Sequence, residues 1–127
     1  VSLHPRSRGM MWQKTVDAKC ANQLSLCEFL APDDDKIEAL RDVARSRKIQ
    51  KESIAARLHW QILGRSLKLQ DFVRERSKGG LNDFLNYGYA VLLSTILQKL
   101  FAVGLDPTFG ISHMPRERST PLAYDLM

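Results

Sequence analysis

The sequence predicts an all-α fold, in which a helical domain is packed around one long central apolar helix. The chain has 127 residues, which is enough for one hydrophobic core and few enough for one domain. It contains only 7 Gly and 5 Pro, and no segment alternates apolar and polar residues in the manner of a strand. We therefore expect residues 1–127 to form a single α-helical domain.

The central helix is predicted from the apolar segment that follows Gly80, LNDFLNYGYAVLLSTILQKLFAVG. Asn82 or Asp83 can cap its start, and Gly104 can end it in a left-handed conformation. Its apolar residues lie on more than one face, which is typical of a helix buried at the centre of a domain. They are Phe84, Leu85, Leu92, Leu93, Ile96, Leu97, Leu100 and Phe101. The purely apolar part is shorter than the roughly 20 residues that span a bilayer.

The first part of the chain predicts a loop and two helices. Residues 1–10 are predicted to be a loop, because Pro5 and Gly9 break regular structure. Residues 11–30 have helical periodicity. A second helix is predicted to start at the acids of residues 33–35, which suit an N-cap and a first turn, and to run to about residue 48.

Two further helices complete the prediction. One runs from residue 49 or 50 to about Leu63, with Gly64 as its stop. Its core residues would be Ile54, Ala55, Leu58 and Ile62, as Ile37, Leu40, Val43 and Ala44 would be in the helix before it. The other helix starts at Pro121, because proline is favoured in the first turn of a helix.

Positive charge is concentrated in the middle of a chain whose formal net charge is +5 and whose isoelectric point is near 9.5. The cations are Arg41, Arg45, Arg47, Lys48, Lys51, Arg57, Arg65, Lys68, Arg74, Arg76 and Lys78, against the acids Asp42, Glu52, Asp71 and Glu75. Such a tract is typical of contacts with nucleic-acid phosphates. A solvated helix surface is an equally good interpretation of the same pattern.

The two cysteines predict a reducing environment. On a helix, Cys20 and Cys27 would have Cα atoms about 10 Å apart, which is beyond disulfide reach. Reduced thiols are typical of a cytoplasmic protein, and the polar, basic start of the chain is unlike a signal peptide. The sequence starts without methionine and stops at Met127, so we expect it to be a piece of a longer protein.

Three residues are candidates for chemistry, although each has a structural explanation. Glu52 precedes Ala55 and Ala56, small residues on the same helical face that leave room for an ion. An isolated glutamate on a basic helix is more often a salt-bridge partner. His113 follows a glycine turn and is equally compatible with a surface position, and Asp125 lies near a helix N-terminus that stabilises acids in any case.

Four motifs, in the same order along the chain, carry a resemblance to a known family. They are Trp12, Lys19, Asn22 and Gln23; then Glu52-Ser-Ile-Ala-Ala-Arg-Leu-His-Trp60; then LNDFLNYGYAVL; then GLDP-x-x-G-x-x-H with LAYDLM. Together they resemble the C-terminal helical domain of the CRISPR-associated integrase and endonuclease family ("Cas-one"), the larger protein of the spacer-adaptation complex. Two positions depart from the family pattern: Ser53 replaces the usual glycine, and His59 the usual aromatic residue.

The resemblance implies a metal site. By position, Glu52 and His113 would be ligands of Mg²⁺ or Mn²⁺, and Asp125 an acid beside the site that takes part in catalysis. A third ligand is expected three residues after Asp125, and a β-rich domain is expected before the helical one. Both lie outside the printed sequence, so we expect these 127 residues alone to be a poor nuclease and a poor integrase. If the implied site is correct, Glu52 and His113 converge although they are far apart in the sequence.

The implied function is antiviral defence by insertion of new spacers into CRISPR arrays, through phosphodiester transesterification. Its partners would be double-stranded DNA, a small ferredoxin-like adaptation protein ("Cas-two") and a second copy in a homodimer, without a membrane. Arg57, Arg76 and Lys78 are the candidates for contacts with the DNA backbone. The alternative is a non-catalytic helical module that binds nucleic acid or protein, for which Glu52 and His113 would have no special role.

Overall fold

The computed structural model describes residues 4–114 and 119–127, and this part of the chain is helical, without strands. The helices are α1 (Pro5–Leu30), α2 (Ile37–Arg45), α3 (Lys51–Ser66), α4 (Leu81–Ala102) and α5 (Pro121–Leu126). The predicted all-α fold is thereby confirmed. Within the described residues, no helix is long and apolar enough to cross a membrane.

The chain divides into two compact units. The first comprises Val1–Thr15 and Glu75–Met127, and the second comprises Val16–Arg74, so that α1 contributes residues to both. The prediction that residues 1–127 form a single domain stays a prediction.

The core of the second unit lies between α1, α2 and α3. Val16, Cys20, Cys27, Ile37, Leu40, Ala55 and Ile62 are buried there. Three contacts join α1 to α3: Asp17 to Lys51, Lys19 to Glu52, and Cys27 to His59. Because the contacts advance along both helices in the same direction, these parts of α1 and α3 run roughly parallel.

The ends of α1 and α3 correct two of the sequence predictions. Residues 5–10 were predicted to be a loop, but α1 begins at Pro5; residues 1–3 lie outside the described part. A proline is favoured in the first turn of a helix, where its missing N–H has no helical acceptor, so Pro5 starts this helix rather than breaking it.

Gly64 was predicted to stop α3, but the helix continues to Ser66. Phe72 packs against Gly64, where an added Cβ would lie 3.4 Å from Phe72 Cβ.

Helix α2 is shorter than predicted and starts later. Its N-cap residue is Lys36, and the side chain of Asp34 accepts a hydrogen bond from the Lys36 backbone N–H at 2.9 Å. Asp34 therefore stabilises the turn before the helix rather than capping it. At the other end, Lys51 Nζ donates to the carbonyl oxygens of Ala44 and Ser46, at 2.9 and 3.1 Å. These carbonyls have no helical donor, so the Lys51 ammonium takes the place of a C-terminal cap.

Helix α4 is present as predicted, and its C-terminus has the predicted conformation. Gly104 has φ +75°, and the N–H groups of Gly104 and Leu105 donate to the carbonyls of Phe101 and Leu100. This is the Schellman pattern of a left-handed C-cap. The predicted N-cap is wrong: Gly80, with φ +67°, precedes the helix, and the side chain of Asn82 accepts a hydrogen bond from the Glu75 N–H instead.

The predicted burial of α4 is not confirmed. Of its residues, only Asn82 and Leu100 are buried, whereas Phe84, Tyr87, Val91, Leu92 and Phe101 are exposed. The physical reason is the size of its partner. Helix α5, which packs against α4 in the first unit, has 6 residues and can cover only part of a helix of 22.

Two adjacent apolar residues on α4 test this distribution of burial. Leu100 is 4% exposed and Phe101 is 67% exposed. We expect Leu100→Ala to lower the free energy of unfolding by about 2 to 4 kcal/mol, because it removes a buried side chain and leaves a cavity. Phe101→Ala removes more atoms but should change the free energy of unfolding far less. Urea denaturation of both variants checks this, and equal losses would mean that α4 is covered on both faces.

A buried hydrogen bond between Cys27 and His59 connects α1 to α3. Cys27 Sγ lies 3.3 Å from His59 Nδ1, and both cysteines are free and buried, as the sequence predicted. Burial raises the pKa of the Cys27 thiol to about 11, with a smaller contribution from Asp34. Burial also lowers the pKa of His59, against the opposing effect of the Gln23 backbone carbonyl. Both shifts favour the neutral forms of the thiol and the imidazole.

The lowered pKa of His59 makes stability depend on pH. The unfolded chain takes up a proton on this histidine near pH 6.5, but the folded protein does so only at lower pH. The unfolded state therefore binds more protons between these two pKa values, and the free energy of unfolding falls as the pH decreases through about 6.5. We expect His59→Phe to remove this component, measured by denaturation between pH 5 and pH 8. Parallel pH curves for the two proteins would contradict it.

Candidate metal centre

The loop between α4 and α5 is shaped by close packing at Gly110. A Cβ added to Gly110 would lie 2.7 Å from Pro121 Cβ, and closer still to the carbonyl oxygen of His113. Only glycine allows this approach of the loop to the start of α5. The Leu122 N–H also donates to the Pro107 carbonyl at 3.1 Å, so the loop is fixed to α5 at two places.

Asp125 is the centre of this arrangement. Its side chain is 0% exposed and accepts hydrogen bonds from the backbone N–H groups of Ile111, Ser112 and His113. It also bonds the imidazole of His113, with 2.7 Å between Oδ1 and Nδ1. Burial on its own raises the pKa of Asp125, but the hydrogen bonds from His113, Ser112 and Ile111 outweigh it, so the pKa lies below its usual value. The carboxylate is therefore charged and acts by holding the loop.

The imidazole of His113 is oriented by this carboxylate. An ionised Asp125 accepts a hydrogen bond from Nδ1–H of His113. In a neutral imidazole, Nε2 is then the ring nitrogen with a lone pair for a ligand. The side chain is 39% exposed, so a ligand can reach it. Metal-bound histidines commonly have their other ring nitrogen bonded to a carboxylate in this way. Asp125 is thus placed to position His113 rather than to bind an ion itself.

Residues at the start of α1 and on α5 complete the surroundings of His113. The rings of Trp12 and Tyr124 each have their centroid 6.4 Å from that of His113. The Arg8 side chain donates from Nε to the carbonyl oxygen of Ile111, two residues before the histidine. All of these groups belong to the first unit, so this surrounding is local to it.

Glu52 lies in the second unit, in the first turn of α3. Its Oε1 is 3.1 Å from Nζ of Lys19 on α1, and its side chain is 42% exposed. The salt-bridge role that the sequence left open for Glu52 is therefore present. The carboxylate is accessible, and the helix behind it carries the small residues Ala55 and Ala56.

His113 and Glu52 are each described within their own unit, and their predicted convergence stays a prediction. Among the residues that the structure describes, no group of three or more His, Cys, Asp or Glu side chains is arranged to hold a metal ion. The loop that follows His113 includes residues 115–118, which lie outside the described part.

The basic tract is partly used for ion pairs within the protein. Arg41 is paired with Glu28 and Glu38, Lys51 with Asp17, Arg65 with Asp34 and Asp35, and Lys78 with Glu75. Of the three candidates for DNA contact, Arg57 is exposed on α3, Arg76 is exposed before α4, and Lys78 is exposed but paired. Some cations of the tract therefore have partners within the protein, and the choice between phosphate contacts and a solvated surface stays open.

Two side chains with buried contacts in the fold could not be identified from the sequence. Lys51 was counted as one cation of a basic tract, whereas its side chain is 3% exposed and satisfied by three acceptors. The sequence does not indicate which residue His59 contacts. The spacing of Lys19, Gln23 and Cys27 on one face of α1 could have indicated that Cys27 faces α3, but not which residue it meets.

The comparisons with known proteins all point to one family. The model of the family described as CRISPR associated protein Cas1 matches residues 1–127. A CRISPR-associated endonuclease Cas1 of Archaeoglobus fulgidus is 30% identical over 128 residues, covering 91% of this chain and 33% of the relative. Another, of Francisella tularensis subsp. novicida, is 30% identical over 132 residues, covering 90% of this chain and 42% of the relative.

A shorter match has higher identity. A CRISPR-associated endonuclease Cas1 of Saccharolobus solfataricus is 38% identical over 77 residues, covering 58% of this chain and 25% of the relative. The chain thus spans less than half the length of these three relatives. No solved structure matches. The family model covers the whole chain and confirms the resemblance inferred from the motifs, so the chain belongs to the CRISPR associated protein Cas1 family.

Proposed function

We propose that this chain carries catalytic residues of a metal-dependent DNA endonuclease and integrase, which inserts new spacers into CRISPR arrays by phosphodiester transesterification. The observation that carries the proposal is the hydrogen bond between His113 Nδ1 and the fully buried Asp125, which fixes the ring and leaves its other nitrogen available to a ligand. The names of the relatives, which are CRISPR-associated endonucleases, support it.

The candidate ligand atoms are of the types that bind Mg²⁺ or Mn²⁺. His113 offers one oriented imidazole nitrogen, and Glu52 offers an accessible carboxylate. Gln23 on α1 has a side-chain oxygen that is buried and has no hydrogen-bond partner among the described residues. Oxygen donors with one imidazole suit Mg²⁺ and Mn²⁺ better than a thiolate zinc site. When bound, such an ion polarises a phosphoryl oxygen and lowers the pKa of an attacking hydroxyl or water.

The residues of the chain have separate tasks in this mechanism. His113 and Glu52 would hold the ion, and Asp125 holds the His113 ring and the backbone of its loop in one orientation. The DNA 3′-hydroxyl attacks a phosphate of the repeat DNA and loses its proton to solvent, while the bond from that phosphate to the neighbouring 3′-oxygen of the repeat strand breaks and this oxygen leaves as a hydroxyl. Water takes the place of the attacking 3′-hydroxyl when the protein acts as an endonuclease. Arg57, Arg76 and Lys78 neutralise phosphates and hold the duplex. Positioning of this kind is a large part of the barrier in phosphoryl transfer.

The partners follow from the same proposal. They are double-stranded DNA, the small ferredoxin-like adaptation protein and a second copy of the chain. The two free, buried cysteines support a reducing compartment such as the cytoplasm.

One observation favours a second candidate, a non-catalytic helical module that binds nucleic acid or protein. The ion pair between Lys19 and Glu52 gives Glu52 a structural role without any metal. This candidate predicts that neither Glu52 nor His113 affects chemistry, so the two functions are separable by mutation.

The test is strand transfer into repeat DNA by the longer protein with its small partner, in Mg²⁺ or Mn²⁺. We expect Glu52→Gln and His113→Asn to lower the rate about 100-fold or more, because a lost ligand removes stabilisation of the transition state. Glu38→Gln, which removes an acid that is mostly exposed, is the matched control and should be active. Full activity of Glu52→Gln would place the catalytic centre elsewhere.

DNA binding by the same variants separates affinity from chemistry. Both inactive variants should still bind duplex DNA, with an affinity whose logarithm falls with the logarithm of salt at a slope of about −0.9 for each phosphate neutralised. Binding that is independent of salt, or absent at low salt, would favour a protein-interaction module.

A further inference from the structure

The carboxylate of Glu52 already has a cation beside it, and that cation belongs to the chain. Lys19 Nζ lies 3.1 Å from Glu52 Oε1, and the two side chains are 19% and 42% exposed. An ion that binds Glu52 at this oxygen would be placed next to the ammonium. Like charges at such a separation repel even where water screens them. Metal binding and the Lys19 ion pair therefore compete for one carboxylate.

Lys51, which precedes Glu52 in the chain, is more deeply buried than Lys19. Lys51 is buried and donates to Asp17, Ala44 and Ser46, so moving its ammonium would leave buried acceptors without a donor. Lys19 is paired in a partly exposed position, where an ion pair contributes little to stability and the ammonium can be hydrated after it moves.

Gln23 supplies a second observation at the same face of α1. Residues 19, 23 and 27 are spaced by four and share one helical face, and Lys19 and Cys27 both contact α3. This spacing places Gln23 on the face of α1 that packs against α3, between the contacts made by Lys19 and Cys27. Its Oε1 is buried and lacks a partner among the described residues. A buried acceptor without a donor is costly, so this oxygen is suited to a polar ligand.

We propose that Lys19 is the built-in counterion of Glu52 in the metal-free protein and is displaced when a divalent cation binds, and that Gln23 Oε1 then accepts a hydrogen bond from the hydration shell of that cation. The proposal rests on the proposed function, since it takes Glu52 as a ligand. It assigns Lys19 a role in setting metal affinity and Gln23 a positioning role. Mg²⁺ and Mn²⁺ suit such a site because Mg²⁺ in particular retains several waters in proteins.

The experiment measures Mn²⁺ binding by isothermal titration calorimetry, with electron paramagnetic resonance of the bound ion as a second readout. We expect Lys19→Met to tighten Mn²⁺ binding about fivefold or more, because it removes the competing charge. Gln23→Leu should weaken binding about threefold or more, also in the Lys19→Met background. Arg41→Met is the matched control. Arg41, on α2, pairs with Glu28 of α1, the helix that also carries Lys19, and its replacement should leave Mn²⁺ affinity unchanged.

The outcomes separate this proposal from the one on which it rests. Glu52→Gln should weaken Mn²⁺ binding and should abolish the effect of Lys19→Met. If Glu52→Gln weakens binding but Lys19→Met changes nothing, Lys19 is no competitor and the counterion role is overturned, while the metal site stands. If Glu52→Gln changes nothing, the ligand assignment itself falls. Circular dichroism verifies the fold, and Lys19→Gln serves as a second variant that removes the same charge.

Discussion

Asp125→Asn is expected to lower the free energy of unfolding by about 3 kcal/mol or more and to weaken metal binding about 10- to 100-fold. The carboxylate is fully buried and accepts three backbone N–H groups and the His113 ring N–H. An asparagine keeps the shape but loses the charge, and its NH₂ group cannot accept any of these donors. Buried N–H groups are then left unpaired, and the His113 ring loses its fixed orientation. Urea denaturation and Mn²⁺ titration measure the two effects.

Asp106→Asn is the matched control for this substitution. Asp106 is exposed in the same unit and also accepts hydrogen bonds, from the N–H and the hydroxyl of Thr108. Its replacement removes the same charge, but water can satisfy the groups that it leaves. We expect little change in stability and none in metal affinity. If Asp125→Asn behaved like this control, the buried carboxylate would not be what holds the loop.

Lys51→Met is expected to destabilise the second unit by about 3 kcal/mol. The methionine fills much of the same volume but cannot donate to the carbonyls of Ala44 and Ser46, which end α2, or to Asp17 on α1. The half-exposed Asp17 can turn to water, so most of the loss comes from the two carbonyl groups. Lys48→Met changes an exposed lysine of the same segment and should have little effect. Equal stability of the two variants, measured by thermal denaturation, would contradict the capping role.

The sequence predicted two helix ends correctly from a glycine and a proline. Gly104 was predicted to end α4 in a left-handed conformation and does so, and Pro121 was predicted to start α5 and does so. The predictions for Pro5 and Gly64 were wrong because both residue types also have a second use. A proline can start a helix as well as break one, and a glycine inside a helix can serve close packing, as Gly64 does against Phe72.

Burial could not be predicted from composition alone. The residues of α4 are apolar on several faces, which is compatible with a core helix and equally with a helix that keeps an exposed apolar face. Conversely, Lys51 and Asp125 are among the most buried side chains, although their residue types are usually exposed. Their burial depends on acceptors and donors supplied by distant residues, and no local pattern in the sequence records those partners.

The candidate site residues were predicted from the family motifs, with Glu52 and His113 as ligands and Asp125 as an acid beside the site; that assignment stays a prediction. The contacts of Asp125 could not be predicted. In the first unit, Asp125 is enclosed by donors, whereas the His113 ring is partly open. The Lys19 partner of Glu52 was beyond sequence reasoning, since residues 33 apart along the chain meet only through the packing of α1 and α3.

The most direct test of the account is anomalous diffraction from crystals of the longer protein grown with Mn²⁺. We predict one anomalous peak with a Glu52 carboxylate oxygen and His113 Nε2 both at about 2.0 to 2.4 Å, while Asp125 remains hydrogen-bonded to Nδ1. We also predict that Lys19 Nζ has left Glu52 in these crystals. An ion bound without either residue, or side chains of Glu52 and His113 directed to opposite faces of the protein, would contradict the proposed metal centre.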